Sequence, residues 1–209
     1  MELNRKPEGD PQGAVQSFPP GRTKIADALR SLLKKKEFVS ITTAEIARTA
    51  GVTEALIYKY FKDKRDLLYE VLSEYMEQYL ERVGADLKGI KGALNKIRKL
   101  VWSHIDVYAT NRVFAKMLLL EVRSYPDYYT SKPYRLVKIY SDTLLEIIRE
   151  GVDEGVIRAD ISPFFIRQAI LGAIENVCLT NVVFNREFSP DDLSEDLCEF
   201  VFSGIRAGD

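Results

Sequence analysis

The sequence predicts an all-α protein of about nine helices: a three-helix module containing a helix-turn-helix, then a larger helical body. Three observations predict it. Apolar residues recur three and four apart along most of the chain, and no stretch alternates as a half-buried strand would. Capping residues stand where the periodic runs begin: Thr42, Thr53, Asp63, and the pairs Ser162-Pro163 and Ser189-Pro190. Between Thr42 and Lys64 the pattern breaks at Gly51 and restarts at once, which is the grammar of two short helices on a tight turn.

The elements follow in order. Residues 1–20 hold Pro7, Pro11, Pro19 and Pro20 with no apolar period, and are expected to be a disordered leader. Ile25, Ala28, Leu29, Leu32 and Leu33 form one apolar face, predicting a helix over about 22–36. Thr42 followed by Glu45 three residues on is a capping box that opens the second helix, with Ile46 and Ala50 inward and Gly51 ending it. Thr53 caps the third, whose Ile57 and Phe61 point inward; Val52 packs at the corner and small Ala47 sits at the crossing. Asp63 opens a long helix to about 83, carrying Leu68, Leu72, Tyr75, Met76, Tyr79, Leu80 and Val83 on its apolar side. Gly84, Gly89 and Gly92 surround a loop, so a domain boundary is expected near 81–84.

Leu94, Ile97, Val101, His104, Ile105 and Tyr108 share the next helical face. A shorter helix over 111–122 places Phe114, Met117 and Leu118 inward. The stretch "RSYPDYYTSKP" reads as an aromatic loop. Leu136, Tyr140, Leu144, Ile147 and Ile148 carry a helix stopped near Gly151, and the two Ser-Pro caps open helices over roughly 162–185 and 189–205.

Composition excludes several classes. Hydrophobic content of 46% and charged content of 29% over 209 residues are ordinary for a globular chain that buries a core unaided. Cys178 and Cys198 sit in apolar runs, which points to buried thiols in a reducing compartment. No signal segment is visible, and Arg167 and Glu175 interrupt the most apolar stretch, so no membrane span and a cytoplasmic location are expected. His104 is the only histidine and has no Cys/His/carboxylate cluster beside it, so neither a metal nor a cofactor is expected. No nucleophile–base constellation and no phosphate-cradling glycine loop are present, and an enzyme is not expected.

Charge is uneven. Residues 20–68 carry eleven Lys/Arg against six Asp/Glu, whereas 71–209 carry seventeen against twenty-one. A basic front end is compatible with a polyanion partner. The outward side of the third helix is not needed for packing and offers Thr53, Glu54, Ala55, Leu56, Tyr58, Lys59 and Tyr60, with Thr42, Thr43 and Lys64 nearby. A hydroxyl-rich, positive helix start suits phosphates, Leu56 suits a thymine methyl and Glu54 a cytosine amine. Lys62, Lys64 and Arg65 extend the positive rim.

The run "TTAEIARTAGVTEALIYKYFKDKRDLL" from Thr42 resembles the DNA-binding domain of the TetR family of bacterial repressors, and residues 21–81 match its extent. The resemblance rests on Thr42, Thr43, Ile46, Ala47, Ala50, Gly51, Val52, Thr53, Ile57, Tyr58, Tyr60, Phe61, Lys64, Leu67 and Leu68. It departs at Ala55-Leu56, where the family often has Gly and a small hydroxyl residue, and this bears on which operator is read. The resemblance implies double-stranded operator DNA as a partner, and a body over 82–209 that binds a small effector and forms a homodimer. "EGVIRADISP" also resembles the connector before the penultimate helix in that family.

The body has residues to match. The helix over 162–185 is apolar all round, so it packs on its own domain and on something else. Ile170 and Val177, with Leu193, Leu197, Val201 and Ile205 of the last helix, are the expected interface of a twofold four-helix arrangement. Trp102, His104, Tyr108, Phe114, Met117, Tyr140, Leu144, Ile174, Cys178 and Asn181 are the candidates to line a mostly apolar cavity. The effector is expected to be hydrophobic or amphipathic. "EALIYKYF" resembles family members that sense fatty acyl thioesters, with a drug or an aromatic metabolite as open alternatives. The competing reading is a helical protein-interaction domain, which leaves the Tyr58 side of the third helix without a role.

Overall fold

The structure is a computed structural model that describes residues 19–207. The expected leader lies outside the described residues except for Pro19 and Pro20, and Pro20 opens the first helix. Nine α-helices run among the described residues, with short 3₁₀ and π segments between them. Apart from one antiparallel bridge, Ile157 to Arg206, no strand pairing is present there.

The front module is α1 (Pro20–Leu33), α2 (Thr43–Ala50) and α3 (Glu54–Tyr60). Ile25, Leu29, Ile46, Ile57 and Phe61 close its core, as their spacing predicts. Thr42 accepts a hydrogen bond from the Glu45 backbone N–H at 3.1 Å, and Gly51 takes the left-handed conformation at φ 67°. The capping box is only half formed, because the Glu45 carboxylate turns to the Lys36 ammonium at 2.6 Å. That ammonium, first by its hydrogen bond, holds the Glu45 carboxyl below its ordinary value. Thr53 caps α3 weakly, at 3.4 Å to the Leu56 N–H.

α4 (Lys64–Leu87) is capped by Asp63, which accepts from the Arg65 and Asp66 N–H groups at 2.8 and 2.9 Å. It runs one turn past the expected end, so the boundary placed at 81–84 falls inside it. Gly84 is a helical residue, and the loop forms at Gly89 and Gly92, both with positive φ. α4 thus belongs to both parts of the molecule.

The body packs α5 (Ala93–Thr110) between α4, α7 (Lys132–Asp153), α8 (Pro163–Val183) and α9 (Pro190–Ile205). The predicted helix over 111–122 is α6 (Arg112–Lys116) continued by a π turn at Met117–Glu121 and a 3₁₀ turn at Val122–Ser124. The aromatic segment then folds as a 3₁₀ turn at Pro126–Thr130. Gly151 does not stop α7. It is buried in the helix, where a Cβ would lie 2.9 Å from that of Ala93 and 2.5 Å from Ile157 Cδ1, and Gly155 makes the turn at φ 71°. On α8 and α9, Ile170, Leu197 and Ile205 are buried within their own chain, not on an outer face. Val177, Leu193 and Val201 are half-buried beside the exposed Phe200.

Candidate functional site: an exposed reading helix and a buried cavity

On α3, Glu54, Ala55, Tyr58 and Lys59 are exposed, Tyr58 by 56%. Ile57 is the one fully buried residue of this helix, which leaves this face available. Thr43 and Glu54 satisfy each other: the Thr43 hydroxyl donates to the Glu54 carboxylate at 2.8 Å and ties α2 to α3. Leu56 and Tyr60 depart from the expectation of outward side chains. Both are half-buried against the start of α1, where a Cβ on Gly21 would meet each at 3.3 Å. Gly21 therefore permits a close approach that draws them in.

Lys64 departs further. Its ammonium donates to the carbonyls of Phe38 and Ile41 at 2.9 and 2.6 Å and lies 4.4 Å from the centre of the Phe38 ring. Desolvation pulls its pKa below the ordinary lysine value. A cation so engaged braces the turn before α2 and does not reach outward. Arg65 also turns away, stacking 4.0 Å over Tyr125 and pairing with Asp127 at 3.1 Å. Of the expected rim, Lys59 and Lys62 remain exposed.

The body encloses a cavity of about 450 Å³. Four of the expected residues line it: His104, Tyr108, Phe114 and Tyr140. The other six do not. Met117, Leu144, Ile174 and Cys178 are core residues packed away from it. Burial drives the Cys178 thiol up to about 12. Trp102 lies between α5 and α9, donating to Asp191 at 2.6 Å under the Lys99 ammonium. Asn181 bonds back to the Val177 carbonyl at 3.5 Å. Helical spacing places a residue on an inward face but does not say whether that face meets core or cavity.

Sequence reasoning missed Met76 and Tyr79 of α4, Leu118 and Arg123 beyond α6, Tyr134 and Lys138 of α7, and Phe164, Arg167 and Glu175 of α8. One signal was present. Arg167 and Glu175 interrupt the most apolar run of the chain, and a charge inside such a run needs a partner or a ligand. Arg167 is 9% exposed, pairs with Asp142 at 3.1 Å and lies 4.4 Å over Phe164, yet its Nε has no partner. Arg123 grips Glu175 through two hydrogen bonds of 2.8 and 2.5 Å. These charges and the exposed Lys138, Phe164 and Gln168 form the mouth, and Met76, Phe114 and Leu118 form an apolar end.

Between mouth and apolar end lies an aromatic cluster. His104 Nδ1 and the Tyr140 hydroxyl are 3.1 Å apart. The Tyr108 ring meets the imidazole edge-on at 4.7 Å, and Tyr79 sits 5.3 Å from Tyr140. Burial lowers the His104 pKa to about 4, so the ring is neutral near pH 7. Burial also raises the hydroxyls of Tyr79, Tyr108 and Tyr140 above the ordinary tyrosine value. The Tyr79 hydroxyl lies beside that of Tyr140 and interacts with it.

The segment from α6 to α7 joins this cavity to the front module. Leu118 and Arg123 face the cavity, while Asp127 accepts from Arg65 at 3.1 Å and from the Tyr69 hydroxyl at 3.2 Å, and Lys116 pairs with Glu37 at 3.5 Å.

Known proteins carry both halves of this arrangement. Residues 25–71 match the model of bacterial regulatory proteins of the tetR family, and residues 72–204 match the C-terminal region of YsiA-like proteins. The chain belongs to the TetR family. It is a DNA-binding transcriptional regulator, with the helix-turn-helix in front and a YsiA-like body behind. The fatty acid metabolism regulator protein of Bacillus subtilis is 29% identical over 186 residues, covering 89% of this chain and 96% of that one. The crystal structure of the transcriptional regulator FadR from Bacillus subtilis in complex with stearoyl-CoA superposes with a TM-score of 0.78 at 29% identity, covering 88% and 98% of the two chains. FadR from Bacillus halodurans shares the fold, with a TM-score of 0.79 at 23% identity over 92% and 100% of the chains.

Proposed function

We propose that this TetR-family chain is a homodimeric repressor whose operator affinity falls when a long-chain fatty acyl thioester enters the body cavity. The observation that carries the reading is the cavity itself: apolar at one end, and at the mouth Arg123, Lys138 and Arg167 outnumber the carboxylates of Asp142 and Glu175. An amphipathic ligand with an alkyl tail and an anionic head matches both ends, and the nucleotide of an acyl-CoA keeps its phosphates at the wet end. The likeness to the Bacillus subtilis regulator and its stearoyl-CoA complex supports the same ligand class.

Homodimerisation is supported by the outer face of α8 and α9. Phe165 and Phe200 are 65% and 78% exposed, beside a groove lined by Ala173, Val177 and Leu193. A twofold pair there would offer two α3 helices to successive major grooves, ~34 Å apart. The helix-turn-helix is proposed to read DNA through Thr42, Thr43, Thr53, Glu54, Ala55, Tyr58 and Lys59. Residues 21–81 serve as the reading unit and 82–209 as the effector and dimer unit, with α4 shared.

The test is a gel shift of the full chain on DNA from upstream of its own gene. Sequence-preferring binding that weakens steeply with salt and is released by palmitoyl-CoA supports the reading. Binding indifferent to sequence, or indifferent to every acyl-CoA tried, overturns it. Phe200→Glu is expected to give a folded monomer by light scattering with lost operator binding; an unchanged dimer removes α9 from the interface.

A further inference from the structure

The middle wall of the cavity holds polar groups that the protein's own packing does not satisfy. Tyr108 is fully buried, and its hydroxyl has no hydrogen-bond partner. Tyr79 is 5% exposed, and its hydroxyl has only that of Tyr140 beside it. The imidazole of His104 is bonded through Nδ1 alone. A buried hydroxyl left unpaired is destabilising, so phenylalanine would serve a purely structural wall better than Tyr108 does. Two tyrosines beside one imidazole, with Tyr108 and Tyr79 ring centres 4.7 and 6.2 Å from it, make a cluster and not an isolated lapse.

Its position says what the cluster would meet. On one side the charges of Arg123 and Glu175, at the mouth, act on both Tyr108 and His104. On the other, the ring of Phe114 lies 6.3 Å from those of both Tyr79 and Tyr108 and begins the apolar end. A ligand running from charged mouth to apolar end places there the group that joins its polar head to its alkyl tail. In an acyl thioester that group is the carbonyl, a hydrogen-bond acceptor with no donor of its own. Tyrosine hydroxyls are donors, and when the Tyr140 hydroxyl donates to Nδ1 the His104 ring carries its hydrogen on Nε2 and becomes a third.

We propose that Tyr108 and Tyr79, with His104 beside them, are the specificity-determining residues that hold the carbonyl oxygen of the effector thioester. This rests on the acyl-thioester reading of the cavity and goes further, because it makes the protein a sensor of activated acyl groups and not of alkyl chains at large. Alkyl thioethers would fill the apolar end and leave the donors unpaired.

The test pairs two ligands with two proteins. Palmitoyl-CoA and its thioether analogue S-hexadecyl-CoA, which lacks only the carbonyl oxygen, are titrated into the wild-type dimer and into Tyr108→Phe. Wild type is expected to bind the thioester about tenfold tighter than the thioether. Tyr108→Phe is expected to lose that advantage with its thioether affinity unchanged, and its ligand-free melting temperature should not fall, since an unpaired hydroxyl has been removed. Tyr79→Phe should show a smaller loss of the same kind. Equal weakening of both ligands, no weakening of either, or a destabilised ligand-free Tyr108→Phe overturns the proposal. So does a loss confined to 3-hydroxypalmitoyl-CoA, which would move the contact onto the acyl chain. Failure of the acyl-thioester reading itself looks different: wild type then binds neither ligand.

Discussion

The reading module and the effector body are built on different principles. In the module each turn is set by a device within a few residues: Thr42 on the Glu45 N–H, Gly51 at φ 67°, Asp63 on two N–H groups. In the body the cavity wall draws on α4, α5, α6, α7 and α8, and residues far apart in sequence meet on it. Two glycines show the contrast. Gly51 has nothing within 4 Å of a would-be Cβ and is needed for its backbone angle, whereas Gly151 has ordinary helical geometry and is needed for its missing volume. The module is therefore set by local devices, and the body by packing between segments distant in sequence.

The largest expected effect breaks the body and spares the module. Gly151→Val forces a side chain into Ala93 and Ile157 and should cost about 3 kcal/mol, seen as a lower denaturant midpoint. Gly51→Ala should cost only about 1 kcal/mol, through strain at positive φ. A larger loss at Gly51 than at Gly151 would reverse the contrast.

His104 comes next. Its folded pKa of about 4 lies below the ordinary 6.5, so the unfolded chain binds the extra proton between those values. Its contribution is intact above pH 6.5 and is lost as pH falls towards 4, by up to about 3 kcal/mol at 1.36 kcal/mol per unit. Wild type should lose melting temperature faster than His104→Gln across that window; parallel curves would show that the imidazole is solvated.

The lysines of the module separate bracing from reading. Lys64→Met should cost about 1–2 kcal/mol through the two carbonyls it strands, while leaving the slope of log affinity against log salt unchanged. Lys59→Ala should leave stability alone and lower that slope by about one. Exchange of these outcomes would return Lys64 to the phosphate-facing surface.

The smallest effect on stability tests the connection between the regions. Asp127 pairs with Arg65 on an exposed surface, so Asp127→Asn should change folding by under about 0.5 kcal/mol. It should nonetheless reduce the acyl-CoA effect on DNA affinity, because Asp127 follows cavity-facing Arg123 and holds the first turn of α4. Full retention of the ligand effect would route the coupling elsewhere.

The same contrast explains what was legible in the sequence. Helix order, the Gly51 turn and the inward set of Ile57 and Phe61 were readable because caps and periodicity are local signals. The inward turn of Lys64 was not, because its partners Phe38 and Ile41 precede it by more than twenty residues. Leu56 and Tyr60 were misplaced for a similar reason: the surface that covers them is Gly21, a residue with no side chain to announce it. Of the cavity, His104, Tyr108, Phe114 and Tyr140 were named from periodicity, but so were Leu144 and Ile174, which pack as core. The end of α6 defeated the helical period outright, since the π turn at Met117–Glu121 shifts the register that brings Arg123 to the mouth.

The central claim is that cavity and reading helix share one equilibrium, and coupling of that kind is reciprocal. Calorimetric titration of palmitoyl-CoA into the free dimer and into its saturated operator complex measures it directly. Affinity is expected to be at least tenfold weaker in the complex, matched by the same factor in operator affinity when the ligand is saturating. Equal affinity for free and DNA-bound protein would contradict it.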